Sequence, residues 1–223
     1  MKVVKSIALA LFVLLGTSAF AQETPVVEIE GGYSLLHFNP ARKYIKSNPK
    51  NLNGGGFAVD YNLNSWLGLK ADLKWYGATA NSFTFLQPIV PPGTTTTVIP
   101  EGTYHASGNA FTYQFGPQFK YHLHRFQPWA HTLFGGASSN VWSNILRATH
   151  YPGFTNRNTG GFAMTIGGGV DVHVGHNWTV RPCEFSYELT RMNTPLLTLV
   201  GGLNNQNNWR YEAGVVYNLG TRP

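Results

Sequence analysis

Apolar and polar side chains alternate residue by residue through five stretches of this chain, and no other feature limits its fold as strongly. Phe57, Val59, Tyr61 and Leu63 alternate with Ala58, Asp60 and Asn62; Leu67, Leu69, Ala71, Leu73 and Trp75 alternate with Gly68, Lys70, Asp72 and Lys74. The same period runs through 110–121, 162–174 and 209–219. Successive side chains of a β-strand point to opposite faces, so a period of two predicts strands with one apolar and one polar face. Three less regular segments complete the set. They are 27–38, the Gly-rich 126–141, whose phase is ambiguous, and 178–192, which changes phase near Pro182. Proline cannot donate to a sheet ladder, so a bulge is expected there. The total is eight strands.

The connections alternate in length. Segments 39–52, 81–105, 142–158 and 193–207 are long, whereas Asn62–Ser65, His122–Arg125 and Gly175–Asn177 are short turns. Long loops on one side and short turns on the other, with an even strand number, is the pattern of membrane-spanning barrels. A soluble barrel has no reason to segregate its loops. No stretch after Ala21 is apolar for long enough to form a spanning helix, which needs roughly 20 residues.

The charges decide which face meets which solvent. Eight of the ten acidic residues fall within strands, on or near the polar phase. Glu28, Glu30, Asp60, Lys70, Asp72, Lys74, Lys120, Asp171, Glu184, Arg210 and Glu212 are therefore expected to form a lumenal network of mixed sign. Glu184 and Glu188 would pair with Arg181 or Arg210. The other face is Trp, Phe, Tyr, Val and Leu, and runs ~9–11 residues per strand, enough for a tilted strand to cross the hydrocarbon layer. Trp66, Trp129 and Trp178 sit beside short turns, and Trp75, Trp142 and Trp209 toward long loops. Two aromatic girdles, one at each membrane surface, are the expected outcome; Trp66, Trp75, Trp129, Trp178 and Trp209 carry that assignment. The fold class is all-β, an eight-stranded antiparallel up-and-down transmembrane β-barrel.

Residues 1–21 combine Lys2 and Lys5, the apolar run Ile7–Leu15 and the small-residue ending Ala19-Phe20-Ala21. That is the pattern of a cleaved export signal, leaving 22–223 as the barrel domain. Removing those two lysines lowers the formal charge from +6 to +4, too little to argue for nucleic acid. The single cysteine, Cys183, cannot form an intramolecular disulfide, and a closed hydrogen-bonded barrel does not need one.

With these features the chain resembles the eight-stranded outer-membrane β-barrel family, the group that contains the transmembrane domain of outer membrane protein A. The resemblance covers the mature chain and rests on the strand-and-loop rhythm and on the last strand. There Glu212-Ala-Gly214-Val-Val-Tyr217-Asn-Leu219 looks like the C-terminal signal read by the barrel-assembly machinery, although the chain ends Gly220-Thr-Arg-Pro223 rather than on an aromatic residue. The resemblance implies a bacterial outer-membrane location, monomeric, among outer-membrane lipid and lipopolysaccharide.

Chemical motifs are sparse. His122-Leu-His124 could chelate a metal, but no third ligand is identifiable, and no metal or other cofactor is expected. His131 has Thr132 and Leu133 after it, so no serine sits two residues along its face, as a lipid-trimming barrel enzyme would require. No zincin motif, phosphate loop or nucleophile elbow occurs. Arg42, Lys43, Lys46 and Lys50 form an acid-free basic cluster in the first long loop, a candidate contact for surface anions such as lipopolysaccharide phosphates. The expected role is structural or surface-interacting and not enzymatic. A small-solute or ion channel, a lipid A-modifying enzyme and a soluble carrier are the alternatives.

Overall fold

The computed structural model describes residues 24–38, 45–46, 50–88, 90, 99–123, 125–148, 159–175, 177–192 and 205–222. Nine strands follow one another: β1 (Thr24–Phe38), β2 (Ile45–Lys46), β3 (Lys50–Asn62), β4 (Leu67–Phe85), β5 (Gly102–Lys120), β6 (Phe126–Ser139), β7 (Thr159–His173), β8 (Trp178–Met192) and β9 (Asn205–Arg222). All pairings are antiparallel. Apart from the two-residue β2, which pairs only with β4, each strand pairs with the next along the chain and β1 pairs with β9, so among the described residues these eight strands close into a ring. Closure satisfies every ladder, which is what allows strands to span a bilayer at all. No described helix is long and apolar enough to cross a membrane.

The alternation sets the two faces. Along β5 every second residue is buried, from Ala106 to Lys120, while Tyr113, Phe115 and Phe119 lie exposed on the outer wall. The interior is polar: Asp60, Lys70, Gln118, Glu184 and Arg181 are each fully buried. This inverts the arrangement of a soluble barrel. Inward backbone space is tight where β5 crosses β6: a Cβ on Gly116 would run into the Thr132 carbonyl oxygen, so only glycine fits there.

The bulge expected near Pro182 is present. The register of β8 against β9 slips between Arg181 and Glu184, and the buried positions move from odd to even numbers across it. The outcome is that both Arg181 and Glu184 face inward.

Three features depart from the sequence reading. Segment 81–105 is not all loop, because β4 continues to Phe85 and β5 begins at Gly102, with the two paired to the end apart from an irregularity between Ala78 and Asn81. Phe85 and Ile99 are buried there, and Phe85 meets the Tyr104 ring edge-on at 5.7 Å, so the extension has a small apolar core of its own. The first long connection contributes the ninth, two-residue strand β2 on the end of β4. The third long connection opens with a helix, α1 (Val141–Ala148), packed on β5. Asn144 donates its side-chain amide to the Ser107 carbonyl, tying α1 to that strand. One helix of two turns is too short for its apolar period to stand out from a strand-rich sequence.

Candidate functional site

The closed sheet brings inward-facing side chains from strands far apart in the chain into one network. Arg181 on β8 donates two parallel bonds to Asp171 on β7, Nε to Oδ1 at 2.7 Å and Nη2 to Oδ2 at 2.8 Å. Its remaining nitrogen, Nη1, donates to Glu30 on β1. Lys70 on β4 reaches the same Glu30 oxygen at 2.7 Å. Arg210 on β9 contacts Glu184 at 3.0 Å, Asp72 at 3.1 Å and Glu188 at 3.5 Å. Lys74 bridges Asp72 at 2.9 Å and Glu212 at 3.2 Å. Nearer the turn between β5 and β6, Lys120 meets Glu28 at 2.7 Å, and Asn62 donates to the same carboxylate. The planar guanidinium fork suits such sites because it donates in several fixed directions at once.

Ten of the eleven charged residues assigned to the lumen from sequence are thus paired, eight of them in the network around Arg181 and Arg210, and Glu28 with Lys120 apart from it. Asp60 is the exception: fully buried, with neither carboxylate oxygen hydrogen-bonded among the described residues. Arg181, which the alternation does not assign to the network, is at its centre. It lies next to the proline where the alternation breaks, so period counting gives no direction for it.

Trp129 corrects an expectation. It is not part of an outer girdle; it is 5 % exposed and inside the barrel. Its indole Nε1–H donates to Asp171 at 3.0 Å, and the Arg181 guanidinium lies over its ring, 4.1 Å from the centroid. The Lys70 ammonium sits 5.1 Å from the same ring. A tryptophan can be placed in a charged lumen because its face attracts cations and its N–H finds an acceptor. The other four assigned tryptophans are on the outer wall. Trp66 (55 % exposed) stacks on Phe119 and Trp178 packs at a tilt against Tyr217 at the short-turn end; Trp75 touches Phe57 and Phe111, and Trp209 touches Tyr187, at the other end.

Glu30, Glu184 and Glu212 bring carboxylate oxygens within 4.8 Å of one another, a spacing that could hold a metal ion. Those oxygens already face Lys70, Lys74, Arg181 and Arg210, which supply the compensating charge. His131 points into the lumen, 3.7 Å from Glu184, and not toward lipid. His124, Arg42 and Lys43 lie outside the described residues, as does the 1–21 segment; Lys46 and Lys50 are described only as backbone of β2 and β3.

A family model for the outer membrane protein beta-barrel domain matches residues 7–218. The chain belongs to that family. Its place is accordingly the bacterial outer membrane, and the exposed aromatic wall is its lipid-facing surface. Among solved structures, the neisserial surface protein A aligns with a TM-score of 0.54 at 11% identity, covering 86% of this chain and 97% of that one. The attachment invasion locus protein Ail of Yersinia pestis aligns at 0.46 and 13% identity (87% and 99% covered). The outer membrane protein OprG of Pseudomonas aeruginosa aligns at 0.46 and 16% identity (88% and 96% covered). At these identities the likeness is one of fold. No curated protein matches the sequence.

Proposed function

We propose that this outer-membrane barrel is a closed structural and surface-contact protein, exported by a cleaved segment at 1–21 and inserted with its short turns toward the periplasm. The observation that carries this reading is the pair of fully buried arginines, Arg181 and Arg210, each bonded to acids on other strands. Such a network fills the centre of an eight-stranded barrel, whose interior is only wide enough for side chains. The long connections, with Arg42, Lys43, Lys46 and Lys50 in the first, are then the parts available to the cell exterior, and lipopolysaccharide phosphates fit their charge.

Planar-bilayer recording of the purified, heat-modifiable protein tests the closed state. The expected result is no steady conductance from the wild type. A stable open level would make the channel reading the correct one. That second reading has one observation in its favour: Gln114, Gln118, Gln127 and Asp60 carry buried polar atoms without hydrogen-bond partners among the described residues, as a hydrated path would.

A further inference from the structure

We propose that a groove on the outer wall of β4, β5 and β6 binds a neutral sugar ring of an outer-leaflet glycolipid. The groove encloses about 450 Å³ and is lined by Trp75, Gly77, Asn109, Phe111, Ser138 and Asn140, over a floor that includes Tyr76, Ala110 and Ser139. Its volume lies within the ~300–1,000 Å³ of small-molecule sites.

The depression has a local cause. On the outer face of β4 the residue after Trp75 is Gly77, and the β6 residue paired with Phe111 is Ser138, so small positions sit beside two large rings. Trp75 and Phe111 stand 5.1 Å apart between centroids and form one aromatic wall. The opposite wall is amide and hydroxyl. Asn140 uses its Oδ1 to accept the Asn109 backbone N–H at 2.7 Å, which orients the side chain and leaves its NH2 without a hydrogen bond among the described residues. Beneath it the inward-facing Ser139 donates to the Asn109 carbonyl and accepts the first N–H of α1, which ties β5, β6 and α1 together under the groove.

The chemistry of the lining selects the ligand. None of the described lining residues is charged, so what they offer is unsuited to a phosphate or a carboxylate. A pyranose ring has an apolar C–H face that packs on an aromatic ring and a rim of hydroxyls that pairs with amides and hydroxyls. Position selects its source. Trp75 is 49 % exposed on the lipid-facing wall, at the end of the barrel from which β4, β5 and α1 project. That is the depth of the head-group layer, where aromatic residues of outer-membrane barrels collect. The inference rests on the membrane orientation proposed above, but not on the basic cluster in the first long connection.

The test follows the indole N–H resonances of the full protein in phosphatidylcholine nanodiscs, with and without a minor fraction of lipopolysaccharide. Trp75, assigned by Trp75→Phe, is expected to shift on adding lipopolysaccharide by clearly more than Trp209, which lies on β9 at the same end. Gly77→Leu fills the groove; among the described residues a Cβ there meets only the Asn109 side-chain oxygen and the Asn53 carbonyl, each at 4.0 Å, so the barrel should still fold and migrate as heat-modifiable. The selective Trp75 shift should be lost in Gly77→Leu and kept when the four basic residues are replaced by Gln. Loss only in the quadruple variant would overturn the groove and leave the basic cluster as the contact. Equal Trp75 and Trp209 shifts would overturn it outright. So would an equal Trp75 shift with soluble maltose in lipopolysaccharide-free nanodiscs, because the glycolipid source would then be wrong.

Discussion

The inward positions of β8 and β9 include Arg181, Glu184, Glu188, Arg210 and Glu212, all ionisable and bound to one another; those of β5 from Thr112 to Gln118, and of β6 from Leu133 to Ser139, carry no charge. On the charged side every guanidinium has several acids around it. On the neutral side the amide nitrogens of Gln114 and Gln118 have no hydrogen-bond partner among the described residues, although Gln114 accepts from Thr165 at 2.7 Å. The difference shows that one barrel wall is held by cross-lumen ion pairs, while the other is merely compatible with a polar interior and takes its order from the ladders of the sheet.

The strongest way to break this comparison is to remove one charge from the paired side. Arg210→Met leaves Asp72, Glu184, Glu188 and Glu212 facing one another without their shared cation. A buried pair broken on one side costs about 3–5 kcal/mol, and urea unfolding of the reconstituted barrel should lose that much. A loss no larger than that of a surface substitution would mean the network does not hold the barrel.

A smaller effect is expected from Trp129→Phe, which keeps the ring near Arg181 but deletes the N–H bonded to Asp171. A hydrogen bond to a charged group contributes about 1.5–3 kcal/mol. The matched Trp209→Phe on the outer wall should change unfolding by much less, so the pair of variants separates a lumenal tryptophan from a girdle one. If the two cost the same, the lumenal role of Trp129 is wrong.

Smaller again is Gln118→Leu on the neutral side. Both polar atoms of Gln118 lack hydrogen-bond partners among the described residues, so replacing them with an apolar group of similar shape should be neutral or mildly stabilising. Destabilisation comparable to Arg210→Met would erase the distinction between the two walls.

The smallest effect concerns pH at the turn between β5 and β6. Burial, and then the nearby Lys120, hold His122 below the ordinary histidine value of 6.5. The unfolded chain therefore takes up a proton at higher pH than the folded one, and stability falls as pH drops below that ordinary value. Unfolding midpoints between pH 7.5 and 5.5 should decline slightly in the wild type and less in His122→Gln. Identical slopes would remove His122 as a contributor.

Much of this fold was readable because a strand's period of two is a local property. The phase of Phe57–Leu63 or Trp209–Leu219 needs no partner to be recognised, and neither does the break at Pro182, since a missing donor is written into the residue itself. The inward direction of Asp72, Lys74, Glu184 and Arg210 followed from those phases. Trp129 did not, because β6 mixes Gln127, Trp129, His131 and Leu133 inward with Phe126 and Phe134 outward, and size alone gives no phase.

The chain by itself determined an inverted, alternating, closed sheet with charges inside, because alternation and turn spacing act over a few residues. Only the tertiary structure decided which charges meet. Arg181 and Glu30 are 151 residues apart, Arg210 and Asp72 are 138 apart, and their approach depends on how the strands stagger when the ring closes. The tertiary packing also set Trp129 beneath Arg181, seated α1 on β5, and put Gly77 and Ser138 beside two aromatic rings. Those contacts run across strands and across the lumen, where no period along a single segment can record them.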